Sequence, residues 1–204
     1  LSGADIAQSL GRRARAEGWR EAASRVRESF NARFWNARDG WLFDVVDGPE
    51  GDDPALRQNQ LFAVSLHHDV LAAALRRPVV DAVEARLLTP VGLRTLDPYH
   101  PGYVGRYEGS AAGRDRAYHN GTVWPWLLGP FAGAYLKAHG RTPEARERIR
   151  DAIASLARHL GTEGCLGQIS EIMDGDAPHA PRGCVAQAWS VAEVARVLLE
   201  ELRQ

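Results

Sequence analysis

The chain has 204 residues, 45% hydrophobic and 25% charged, and 25 Lys and Arg against 26 Asp and Glu leave a formal net charge of -1. This is ordinary globular composition without a basic excess, so neither a nucleic-acid nor a membrane partner is expected. No apolar run approaches bilayer length, the charged first fifteen residues are not a signal peptide, and Cys165 and Cys184 cannot form a disulfide scaffold, so free thiols and a cytoplasmic location are expected.

The chain starts at Leu1, and Met173 is its only methionine. It therefore reads as a piece of a longer protein.

Ser2 caps a short helix to Leu10, and Gly11 stops it. A longer helix is expected over about residues 13–35. Trp19, Ala22, Ala23, Val26, Phe30 and Phe34 form its apolar stripe, with Arg20, Glu21, Arg25, Arg27, Glu28 and Arg33 on the solvated side. Asp39-Gly40 and Asp47-Gly48 mark turns around a partly β stretch at residues 41–46. A helix apolar nearly all round is expected over about residues 59–75, and Pro78 opens a partner helix to Leu88 that buries Val79, Val80, Val83 and Leu87.

Residues 89–120 have no helical period. A loop of that length is functional or disordered, and Tyr99, His100, Tyr103, Tyr107 and Tyr118 argue against disorder. Residues 123–139 are nearly free of charge and predict a central helix kinked at Pro130. Thr142 caps a charged outer helix, opened by Pro143 and running to His159, with Ile149, Ile153, Leu156 and Leu160 inside. A last apolar helix is expected over about residues 185–202. Apolar helices alternate with charged amphipathic ones, as two concentric layers of helical hairpins require. The expected fold class is all-α, with about seven helices and long active-site loops.

Four constellations could carry chemistry. The loop CLGQISEIMDGDAPHAPRGCVAQAW, residues 165–189, places Gln168, Glu171, Asp174 and Asp176 within nine residues, with His179 and Arg182 nearby. Gly175, Pro178, Pro181 and Gly183 keep it from being helical. Function concentrates on such loops, and Glu171 there can act as a general base. Alternatively, Asp174 and Asp176 are turn and cap residues and Glu171 pairs with Arg182. The second constellation is Tyr-His-Asn-Gly-Thr-Val-Trp-Pro-Trp at residues 118–126. It has the makings of a sugar subsite, with an indole face under the pyranose and His119 and Asn120 on its hydroxyls. Trp126 reads as a core residue, and Trp124 as either core or platform. The third is the loop of residues 92–107, with Arg94, Asp97, Tyr99, His100, Tyr103, Arg106 and Tyr107. The fourth is Arg57-Gln-Asn-Gln60 at a helix start. Adjacent His67 and His68 point apart on a helix. There is no HExxH or CxxC spacing, no phosphate-cradling glycine loop, and no GxSxG elbow at Ser170, so neither metal nor cofactor is expected.

These stretches resemble the glycogen-debranching enzymes, in their amylo-α-1,6-glucosidase domain. YHNGTVWPWLLGPF at residues 118–131, QISEIMDGD at 168–176 and PRGCVAQAWS at 181–190 carry the resemblance. Residues 89–96, Asn59-Gln60 and residues 41–48 also fit, so it spans nearly the whole chain. The resemblance implies a six-hairpin α/α barrel, of which residues 1–204 would be the C-terminal portion of the catalytic domain with its N-terminal part absent. That is a partial (α/α)6 barrel, or toroid. It implies an inverting glycoside hydrolase that removes α-1,6-linked glucose at branch points of glycogen or limit dextrin, with an α-glucan or oligosaccharide as partner. The family's general base maps onto Glu171. Trp124, His119, Arg94, Asn59, Gln60, Gln168, Tyr107 and Asp174 are the substrate-binding candidates. The family's general acid, an Asp in a Trp-Met-Asp motif, has no counterpart here, so the chain alone is expected to be inactive. A truncated barrel would expose apolar edges at residues 1–10 and 185–202, and self-association through them is expected. A related α-glucosidase or trehalase of the same barrel type, or a non-catalytic carbohydrate-binding helical module, is the alternative.

Overall fold

The computed structural model describes residues 1–203. Just over half of the described residues are helical, in eight α-helices with short 3₁₀ and π turns, and nine short strands among them form three antiparallel sheets.

Helices α1 (Ser2–Ser9) and α2 (Arg13–Phe34) form a hairpin about Gly11, whose φ of 71° suits glycine at a helix end. Ala4, Ala7 and Ala16 pack between them. The expected apolar stripe of α2 is only partly used. Trp19 and Val26 are exposed, and only Phe30 and Phe34, at the far end, reach the main core. Strand β1 (Trp35–Asn36) pairs with β2 (Trp41–Leu42), and β3 (Val45–Gly48) with β4 (Gly51–Asp53).

The apolar stretch after Gln58 does not make one long helix. It makes a 3₁₀ turn (Gln58–Leu61) and the single turn α3 (Phe62–Ser65), then becomes extended at Leu66 before α4 (Ala73–Leu87). Pro78 lies in the second turn of α4 rather than at its start, where it forfeits one backbone bond. Val79, Val80, Val83 and Leu87 are fully buried on that helix.

Within residues 89–120, read as loop, Ser110 accepts the Gly113 N–H at 3.2 Å and so caps α5 (Ala111–Tyr118). The 3₁₀ turn Pro125–Leu127 leads into α6 (Leu128–His139). Pro130 is the third residue of α6, in a first turn whose amides lack intrahelical partners, rather than in the middle of the helix expected. Thr142 accepts the Ala145 N–H at 3.2 Å and caps α7 (Pro143–Thr162). The last helix, α8 (Ala188–Arg196), starts later than expected and continues into a π turn (Val197–Glu201). Phe131 and Leu128 of α6, Ile149 and Leu156 of α7, and Val80 and Leu87 of α4 meet in one core. No described helix is long and apolar enough to cross a membrane.

Strands β5 (Leu88–Thr89), β6 (Gly92–Arg94), β7 (Val123–Trp124), β8 (Ile172–Met173) and β9 (Pro181–Arg182) form one sheet in that order, each pair antiparallel. Leu93 opposes Trp124, Val123 opposes Met173, and Ile172 opposes Arg182. This sheet, with the two smaller ones, overturns the all-α expectation and the partial (α/α)6 barrel read with it; the fold is mixed. The reason for the miss is strand length. Each of these strands has two or three residues, too few for an alternating pattern to register. The sheet forms because the loops bury their backbone at the helix ends, and buried N–H and C=O groups must find partners.

Candidate active site

Glu171 immediately precedes β8 and extends its pairing with β9. Its N–H donates to the Cys184 carbonyl at 2.8 Å. Gly183, at φ 65°, turns the chain so that the Cys184 N–H donates to Glu171 Oε2 at 2.9 Å. A Cβ at Gly183 would lie 2.5 Å from that oxygen. From the end of α5, the Tyr118 hydroxyl donates to Oε1 at 2.5 Å. Each carboxylate oxygen thus holds one donor and keeps a lone pair free. Burial, and then the bonded Glu171, push the Tyr118 phenol well above the usual tyrosine range, so it remains a donor at neutral pH. The alternative pairing of Glu171 with Arg182 is not found.

Arg182 is committed to Asp174, which has no exposed surface. Its Nε lies 3.2 and 3.1 Å from the two carboxylate oxygens and its Nη2 2.9 Å from Oδ2. Those bonds hold the guanidinium above its usual basicity. The Tyr107 N–H donates to Oδ1 at 2.9 Å. Asp174 therefore fixes the loop from behind and is out of reach of a substrate. Arg94 on β6 donates from Nε to the Gly175 carbonyl at 2.9 Å, and the Tyr103 hydroxyl donates to Asp176 at 3.0 Å. Burial and that carboxylate push Tyr103 up to about 12. A Cβ on Gly175 would stand 2.2 Å from the Gly121 carbonyl, so the loops carrying Tyr103, Gly121 and Gly175 meet backbone to backbone.

An aromatic cluster adjoins Tyr118. Trp124 is 5% exposed. His119 stacks on it at 5.6 Å and 8°, Tyr118 meets it edgewise at 4.8 Å, and its Nε1 donates to the Tyr118 carbonyl at 3.1 Å. Trp189, on α8, meets Trp124 edgewise at 5.8 Å and stacks on Trp126 at 5.3 Å. The Tyr107 ring lies 5.9 Å from that of Tyr118.

Asn59 and Gln60 belong to a second cluster, at a cavity of about 270 Å³ lined by Phe30, Phe34, Phe43 and Phe62 with Asp44 and Arg57 among its polar groups. Gln60 is committed to the scaffold: Oε1 accepts the Leu42 N–H at 3.2 Å and Nε2 donates to the Arg57 carbonyl at 3.0 Å. Asn59 is exposed and reaches Asp44 at 3.4 Å. Burial raises the Asp44 carboxyl against the pull of Arg57, whose Nε is 3.1 Å away. Arg57 also donates to the His119 carbonyl at 2.7 Å and to Asn120 Oδ1 at 3.0 Å, which ties the cavity to the aromatic cluster.

Glu171, Tyr107, His119 and Trp124 are thus assembled around Tyr118, with Asp174 behind and Arg94 bracing Gly175. Asn59 and Gln60 lie across Arg57 from them, and Gln168 stays exposed in the turn after α7. Sequence reasoning missed Tyr118 as the partner of Glu171, although it heads the second motif. It also missed Asp44, within Leu-Phe-Asp, and Trp189, at the end of the loop motif. Nothing in the sequence points to the Cys184 amide, because any residue type supplies that donor. No group of three or more His, Cys, Asp or Glu side chains among the described residues could hold a metal ion.

The sequence model of a family described as amylo-alpha-1,6-glucosidase matches residues 4–196. The glycogen debranching enzyme of Saccharomyces cerevisiae is 31% identical over 163 residues, covering 71% of this chain. The chain spans only 11% of that protein's length.

Proposed function

Because the chain belongs to the amylo-alpha-1,6-glucosidase family, we propose that it forms part of a glycoside hydrolase in which Glu171 is the general base. The proposed substrate is an α-glucan or oligosaccharide carrying α-1,6-linked glucose, as at branch points of glycogen or limit dextrin, cleaved with inversion. The observation that supports this reading best is the fixed carboxylate of Glu171. Tyr118 and the Cys184 amide orient it, and one lone pair on each oxygen remains for a water. That water would give up its proton to Glu171 as it attacks the anomeric carbon opposite the leaving oxygen.

Inversion needs a second carboxyl group to protonate the leaving oxygen. The Trp-Met-Asp motif implied by the resemblance is not in this sequence. The acid is proposed to come from the parent protein outside these residues, and the chain alone to be inactive. Exposed Ile6 on α1, Leu10 just after it, and Leu198 and Leu199 after α8 are the apolar side chains through which isolated chains would associate. Exposed, unbridged Cys165 and Cys184 suit a reducing, cytoplasmic setting.

In the full-length protein, Glu171→Gln is expected to cut turnover on a branched oligosaccharide by about two to four orders of magnitude with an unchanged thermal melt. Near-normal turnover would sink the assignment.

A further inference from the structure

Trp124, which the sequence leaves as either core or sugar platform, is 5% exposed, with His119 stacked on it and Tyr118 and Trp189 packed against it edge to face. The open indole of the same cluster is Trp189, 45% exposed. Two features hold it in place. Its ring stacks on Trp126 at an interplanar angle of 23°. Its helix start is pinned to the segment entering Glu171: the Gln187 N–H donates to the Ile169 carbonyl at 2.8 Å, and the Ser190 hydroxyl to the Ser170 carbonyl at 3.4 Å. Ile169 and Ser170 are the two residues before Glu171.

We propose that Trp189 is a platform for a glucose unit of the glucan chain adjoining the unit that is cleaved. This rests on the reading of Glu171 as the base of an α-glucan hydrolase. A pyranose ring has an apolar C–H face and a rim of hydroxyls. The electron-rich face of an indole covers the first and leaves the second to polar neighbours. His119, stacked on Trp124, is the exposed polar group of the same cluster. An indole already stacked and pinned loses little freedom when a sugar settles on it, so little of the contact is offset by ordering. The exposed His119 in the same aromatic cluster favours a hydroxyl-rich ligand over an apolar protein surface.

The test measures binding of maltotetraose and of glucose to the full-length protein carrying Glu171→Gln, with and without Trp189→Ala. Trp189→Ala is expected to weaken maltotetraose about tenfold and glucose by less than about twofold. Trp189→Phe should recover part of the loss, which separates lost stacking from lost folding. Unchanged maltotetraose affinity in Trp189→Ala, equal losses for both sugars, or a change confined to sedimentation behaviour would each overturn the platform. Turnover of Glu171→Gln is read separately: if it is near normal while Trp189→Ala still loses maltotetraose, the base assignment fails and the platform stands.

Discussion

The Tyr118 hydroxyl donates to Glu171 Oε1 at 2.5 Å across 53 positions of sequence. It joins the end of α5 to the start of β8 and aims one face of the carboxylate. Removing the phenol oxygen alone, with Tyr118→Phe, takes away one of the two donors that orient the Glu171 carboxylate. In the full-length protein, turnover is expected to fall roughly tenfold with KM little changed, as for loss of a bond that only positions the carboxylate. The other groups around this pair are His119 and Tyr107 beside Tyr118, Cys184 on Oε2, and Arg182, whose charge is committed to Asp174. Unchanged turnover in Tyr118→Phe would show that this bond does not position the proposed base.

Gly183 is constrained twice, by its positive φ and by Glu171 Oε2, 2.5 Å from where a Cβ would sit. Gly183→Ala must strain the backbone and push the carboxylate aside. The expected cost to stability is about 1–2 kcal/mol. Displacing the proposed base should cost the full-length protein about a hundredfold in turnover. Kinetics alongside a urea melt separate the two; a melt that shifts while kcat holds would mean that Glu171 tolerates displacement.

Asp174 and Asp176 should differ sharply in their effect on stability. Asp174→Asn leaves Arg182 facing a neutral amide at a position that itself has no exposed surface. It is expected to cost about 2–3 kcal/mol, at the low end for a buried pair because Arg182 is 35% exposed and partly screened. Asp176, with 49% of its side chain exposed, should cost less than about 1 kcal/mol as Asn. Urea unfolding of the two variants checks the order, and equal losses would contradict it.

Tyr103 should titrate late. Its phenol is pushed up to about 12 by burial and by Asp176, against an ordinary value near 10. Between those values the folded protein keeps a proton that the unfolded chain releases, so stability contributed by Tyr103 is complete below about pH 10 and is lost as pH rises through about 12. Absorbance of phenolate in a fast pH jump should show one late-ionising tyrosine fewer in Tyr103→Phe, and its alkaline unfolding limb should be less steep. The same steepness in both proteins would exclude the Tyr103–Asp176 bond as its cause.

Much was legible in the sequence because it depends on near neighbours. Helices α1, α2 and α7 lie close to their expected bounds: cap, stop and 3.6-residue period are local signals, as the Thr142 cap and Gly11 illustrate. The family was readable from the stretches around Tyr118, Gln168 and Pro181, and the match over residues 4–196 establishes it. What the sequence could not supply was anything that depends on which loops meet. The five-stranded sheet is made of two- and three-residue strands far apart in sequence, with no period of their own, and it exists because buried loop backbone needs partners. The sequence left Trp124 as either core or platform; its position on β7 opposite Leu93 buries it, while Trp189 of the same cluster is exposed. Asp174 and Glu171 are both carboxylates of one loop. Alternation along β8 and pairing with β9 give Asp174 to Arg182 with no exposed surface and turn Glu171 toward Tyr118 with free lone pairs. That difference in solvent access and hydrogen bonding separates an anchor from a candidate base, and only the folded chain decides it.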